Sequence, residues 1–148
     1  MCGIIGYTGK NRNAVEVALK GLEALEYRGY DSAGLALFRP ASPAGRQGYK
    51  GQAASIFCKK AVGRVKNLAD QINRQNFSST CAIAHTRWAT HGAPSVKNAH
   101  PHSDCRKEIF LVHNGIIENY KELKDVLERE GHCFDSLTDT EALAHLIE

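Results

Sequence analysis

From the second residue onward, short apolar runs bounded by glycine or polar residues alternate with stretches whose apolar residues recur at helical spacing. Cys2 to Tyr7 reads as a strand, and Val15, Ala18, Leu19, Leu22 and Leu25 mark an amphipathic helix over 14 to about 27 with Asn13 as its cap. Ala33 to Phe38 and Ser55 to Val62 are further apolar runs, after which Val65, Leu68, Ala69 and Ile72 return to helical period. Cys81 to Thr86 reads as a buried strand and Ile109 to Val112 as the clearest strand of all. Asn119 with Glu122 resembles a capping box ahead of Leu123, Val126 and Leu127, and Gly131 stops that helix. Thr138 with Glu141 repeats the pattern and opens a helix through Ala142, Leu143 and Leu146 that runs to Glu148. The pattern predicts one α+β domain. Arg39 to Gly51 is expected to be an exposed loop. The long irregular stretch from Arg87 to Arg106 is of the kind that usually carries function.

At 148 residues the chain is long enough to bury about 68–70% of its unfolded surface, so disulfides or a structural metal are not needed for a core. No run approaches the ~20 apolar residues of a membrane span, and Met1 to Tyr7 lacks a secretory leader, so a cytoplasmic protein without membrane contact is expected. The formal charge of +3 comes from basic residues interleaved with acidic and apolar ones, which argues against a nucleic-acid partner. The five cysteines include no Cys-x-x-Cys pair, and His100-x-His102-x-x-Cys105 lacks a well-placed second pair, so neither a disulfide framework, a metal nor another cofactor is expected.

Cys2 is the cysteine that stands out. If Met1 is removed, Cys2 acquires a free α-amine of pKa ~7.7–8.0, weakly basic enough to serve as general base for the thiol of its own residue. The alternative is a small apolar residue at the start of a strand. Asn114-Gly115 reads either as a type I′ hairpin turn or as a turn that aims the Gly N–H and the Asn amide N–H₂ at one point, as an oxyanion hole does. His85-Thr86-Arg87-Trp88-Ala89-Thr90-His91-Gly92 crowds a guanidinium, an indole, a hydroxyl and an imidazole just past a buried strand. Arg87 suits a carboxylate or an ordinary surface ion pair. Asp139 is either a helix-dipole partner or, facing Arg87, the opposite charge needed to hold an α-amino acid.

Taken together, Met1-Cys2-Gly3-Ile4, Glu26 to Gly34, His85 to Gly92, His113-Asn114-Gly115-Ile116 and Thr138-Asp139-Thr140-Glu141 resemble, in order, the class II glutamine amidotransferases. The likeness is strongest to the hexosamine-synthesising branch. The purine-pathway branch shares the Cys start and the Asn-Gly turn but differs over Trp88 to Gly92.

The resemblance implies an N-terminal-nucleophile hydrolase fold, a four-layer α/β/β/α sandwich with mainly antiparallel sheets. It implies a glutamine amidotransferase type 2 domain over residues 1–148, incomplete at its C-terminal end. Cys2 would attack glutamine, Asn114 and Gly115 would hold the oxyanion, Arg87 would bind the α-carboxylate and Asp139 the α-ammonium. Trp88, Thr90 and His91 would line the pocket, and the segment around Arg28 would order the first strand. Ammonia would pass to a sugar-isomerising domain, absent from this sequence, for transfer to fructose 6-phosphate. Homo-oligomers are an expected assembly. The alternatives are a non-catalytic glutamine-binding or regulatory module, or the glutaminase part of another class II enzyme.

Overall fold

The computed structural model describes residues 2–11, 13–41, 53–72, 77–88 and 93–148. Four strands, β1 (Gly3–Thr8), β2 (Ser32–Arg39), β3 (Ser55–Val62) and β4 (Cys81–Arg87), form one sheet in the order β1-β4-β2-β3, antiparallel throughout. Helices α1 (Ala14–Leu25) and α2 (Val65–Ile72) cover one face, and a 3₁₀ turn, Glu26–Arg28, follows α1. A two-stranded ribbon, β5 (His102–Ser103) with β6 (Phe110–Leu111), and helices α3 (Tyr120–Arg129) and α4 (Asp139–Ile147) lie on the other side. The result is the expected α+β arrangement in α/β/β/α layers. The expected loop over 39–51 falls mostly outside the described residues.

Strand alternation assigns the two faces of the large sheet. Ala33, Leu35 and Leu37 of β2 and Ala82 and Ala84 of β4 join Ala18, Leu22, Leu68 and Ile72 in the core beneath the helices. The opposite face of β4 carries Ile83, His85 and Arg87, paired across to Ala36, Gly34 and Ser32. Small residues are needed there. A Cβ at Gly34 would land on the carbonyl oxygen of His100, so the segment that leads into the ribbon lies directly on the sheet backbone.

Several local expectations are corrected. The strand expected over Ile109 to Val112 reduces to two paired residues, His102 with Leu111 and Ser103 with Phe110. Asn13, Asn119 and Thr138, the expected caps, make no side-chain bond to the helices they precede. Asn13 accepts from the Tyr7 hydroxyl through Oδ1 at 3.0 Å instead. Glu141 turns away from Thr138 and accepts the N–H groups of Asp135 and Ser136, both at 2.7 Å, which fixes the loop ahead of α4. Among the described residues, positive φ occurs at Lys107, Gly63 and Gly131, so Asn114-Gly115 is not a type I′ turn, which needs positive φ at both positions.

Candidate active site

The ladder between β1 and β4 pairs Gly3 with Thr86. One further step brings Cys2 opposite Arg87, on the face away from the helices. Side chains from three segments hold the backbone at Cys2 and Gly3. Thr86 Oγ1 accepts the Gly3 N–H at 3.2 Å, Arg28 Nε donates to the Cys2 carbonyl at 3.3 Å, and Asn114 Nδ2 donates to the same oxygen at 3.2 Å. The Trp88 N–H points at Cys2 Sγ from 3.2 Å. Arg28 is thus bonded to the residue that leads into β1, the strand that the resemblance expects its segment to order.

Cys2, Arg87, Trp88, Asn114, Gly115 and Asp139 line a single pocket, together with Thr138 and Leu137 from the approach to α4. Thr90 and His91, expected in the same pocket, lie outside the described residues. Arg87 is 6% exposed. Burial lowers the pKa of its guanidinium, and Cys2, Asp31 and Asp139 oppose that shift. Asp139 stands at the start of α4, where its Oδ2 accepts the Ile117 N–H at 2.8 Å. The Thr140 hydroxyl donates to Oδ1 at 3.3 Å, and since a carboxylate has about four acceptor positions, capacity remains for a ligand. Trp88 is half exposed and packs edge-on against Tyr30, with ring centroids 5.9 Å apart.

Sequence reasoning assigned no role to His85. Its Nε2 lies 2.8 Å from Asn114 Oδ1, and the ring is almost wholly buried. Burial pushes its pKa down to about 4, partly offset by the Asn114 bond, so the ring is neutral near pH 7. Asn114 Nδ2 already donates to Cys2, so Oδ1 is the acceptor and Nε2 of His85 carries the proton. His85 therefore sets which way the Asn114 amide faces. His100 stacks on His85 at 4.2 Å between ring centroids, and His102 meets His100 edge-on at 4.6 Å. His100 and His102 are thus interior rings and not partners of Cys105, whose sulfur faces His132 and His145.

A family model described as a glutamine amidotransferase domain matches residues 64–148. The chain belongs to the glutamine amidotransferase domain family. This amidotransferase domain is 51% identical over 148 residues to the glutamine–fructose-6-phosphate aminotransferase [isomerizing] of Pyrococcus horikoshii, and 51% identical over the same length to that of Thermus thermophilus. In each case all of the chain is covered, and it spans 22% of the relative's length. Among solved structures, glutamine phosphoribosylpyrophosphate amidotransferase from B. subtilis, complexed with ADP and GMP, matches with a TM-score of 0.75 and 27% identity over 99% of this chain and 29% of that one. An amidotransferase fold of the N-terminal-nucleophile kind is therefore shared across that distance. No helix among the described residues is long and apolar enough to cross a membrane.

Proposed function

We propose that this amidotransferase domain hydrolyses glutamine to glutamate and ammonia through a thioester on Cys2. The observation that carries the reading is that Cys2, held at its carbonyl by Asn114 Nδ2 and met at its sulfur by the Trp88 N–H, lines one pocket with Asn114, Gly115, Arg87 and Asp139. Once Met1 is removed, the α-amine of Cys2 takes the thiol proton while sulfur bonds to the carboxamide carbon. The oxyanion so formed is met by the Asn114 amide and the Gly115 N–H. The amine returns its proton to the amide nitrogen, the C–N bond breaks and ammonia leaves. Water then cleaves the thioester and restores the thiol. Arg87 binds the α-carboxylate and Asp139 the α-ammonium, which fixes the amino acid at its polar end and leaves the side-chain amide facing Cys2.

The names of the relatives extend the reading. The domain is the ammonia-supplying part, over residues 1–148, of a cytoplasmic enzyme that transfers ammonia to fructose 6-phosphate on a sugar-isomerising domain, and copies of that enzyme associate. The test is direct. Intact mass should show Met1 removed, and a glutamine-mimicking electrophile should label Cys2 but not Cys58, Cys81, Cys105 or Cys133. Cys2→Ala should abolish glutamate release. Labelling spread over all five thiols, or glutamate release by the Cys2→Ala protein, overturns the proposal.

A further inference from the structure

At the end of α4 remote from Asp139, three segments bring four electron-pair donors to one point. Cys105 comes from the turn between β5 and β6, His132 from the link after α3, and His145 and Glu148 from the end of α4. Cys105 Sγ lies 3.5 Å from His145 Nδ1 and 3.9 Å from His132 Nδ1. Glu148 Oε2 lies 3.0 Å from His132 Nδ1 and 3.6 Å from His145 Nδ1. All four atoms fall within 4.8 Å of one another. In a tetrahedral zinc site, with Zn–S of about 2.3 Å and Zn–N and Zn–O of about 2.0–2.1 Å, neighbouring ligand atoms stand about 3.3–3.6 Å apart. The observed separations bracket that range.

We propose that Cys105, His132, His145 and Glu148 form a structural zinc site. Thiolate and imidazole ligands select zinc over magnesium or calcium, which take oxygen. One thiolate and one carboxylate balance the charge of a divalent ion, and four protein ligands leave no open position, as in structural rather than catalytic sites. The surroundings are those of a ligand set. Arg106 Nε holds Glu148 Oε1 at 3.4 Å and leaves Oε2 for the centre. The Cys133 N–H donates to Cys105 Sγ at 3.4 Å, as backbone amides do to metal-bound sulfur. Without an ion, two imidazole nitrogens and the Cys105 N–H all converge on a single carboxylate oxygen. The zinc would tie the ribbon and the link after α3 to the helix whose first residue is Asp139.

The test uses the whole purified chain, stripped with chelator and titrated with zinc chloride or cobalt(II) chloride. One zinc per chain by plasma mass spectrometry, and a thiolate-to-cobalt charge-transfer band in the near ultraviolet, are expected. Cys105→Ser should lose the band and at least tenfold in zinc affinity while circular dichroism shows it folded, and Cys133→Ser should retain both. If Cys105→Ser does not fold, His132→Gln, at the exposed side of the cluster, takes its place and should weaken zinc binding at least tenfold. Substoichiometric uptake by the folded parent chain overturns the proposal. So does a cobalt spectrum without the thiolate band, or a folded ligand variant that binds zinc as tightly as the parent.

Discussion

His85 Nε2 lies 2.8 Å from Asn114 Oδ1, across 29 residues of sequence, and this bond turns the Asn114 amide nitrogen toward Cys2. His85 touches neither Cys2 nor, on the proposed pose, the substrate, so it acts as a positioning residue. His85→Ala should lower kcat for glutamate release about tenfold to a hundredfold, somewhat less than the ~10²–10³ typical of deleting an oxyanion donor outright. KM for glutamine should change little, because Arg87 and Asp139 are untouched. A variant whose kcat is unchanged would show that Asn114 is held without His85. A matched loss in kcat and rise in KM would indicate general disruption of the pocket instead.

The three packed imidazoles of His85, His100 and His102 make stability depend on pH. Burial lowers the pKa of His85 to about 4 and of His102 to about 3, and lowers that of His100 as well, each from an ordinary value of 6.5. Between those values and 6.5 the unfolded chain binds protons that the folded chain does not, so stability rises with pH across the window and falls on acidification. Near pH 5 the three rings contribute close to three protons taken up on unfolding, or about 4 kcal/mol per pH unit. Urea unfolding followed between pH 5 and 7.5 should show this slope, and His102→Asn should reduce it by about one proton. Stability that stays flat from pH 6.5 to 5 would mean the rings are not buried together.

Gly34 and Gly6 lie in neighbouring parts of the same sheet but should respond oppositely to alanine. A Cβ at Gly34 meets the His100 carbonyl oxygen, whereas one at Gly6 meets nothing within 4 Å. Gly34→Ala should cost about 3 kcal/mol or more, at the upper end for overpacking, because backbone must move. Gly6→Ala should be within about 0.5 kcal/mol of neutral. Equal effects in denaturant titrations would contradict the close approach of β2 and the segment at His100.

Arg87→Lys keeps the charge and removes the planar fork. On the proposed pose this should raise KM for glutamine by about tenfold to a hundredfold, the worth of one charged hydrogen bond of ~1.5–3 kcal/mol. The kcat at saturation should fall much less. Steady-state kinetics separate the two, and an unchanged KM would remove Arg87 from the substrate site.

Much of this was legible along the chain. The strand at Ser55–Val62 and the helices around Leu22, Leu68 and Leu127 follow from apolar period, because a helix or strand must turn one face to the core. The caps were less legible, since Asn13, Asn119, Thr138 and Glu141 have several partners within reach, and for Asn13 and Glu141 a residue in the segment just before the helix won over the helix's own first turn. Cys2, Arg87, Asn114 and Asp139 stood out by residue type and motif. His85 did not, because a histidine in a buried strand has no local signature that distinguishes a filler from a support for Asn114.

The sequence by itself marked the helices and the four long strands, placed a thiol at the second residue, and carried a known order of motifs. Those properties depend on neighbours a few residues apart. Only the tertiary structure decided that Trp88 and Asn114, 86 and 112 residues from Cys2, both donate to it. It also decided that Cys105 leaves His100 and His102 for His132, His145 and Glu148. Such meetings depend on strand register and on how layers pack, where a shift of one residue would turn His85 and Arg87 to the opposite face of β4.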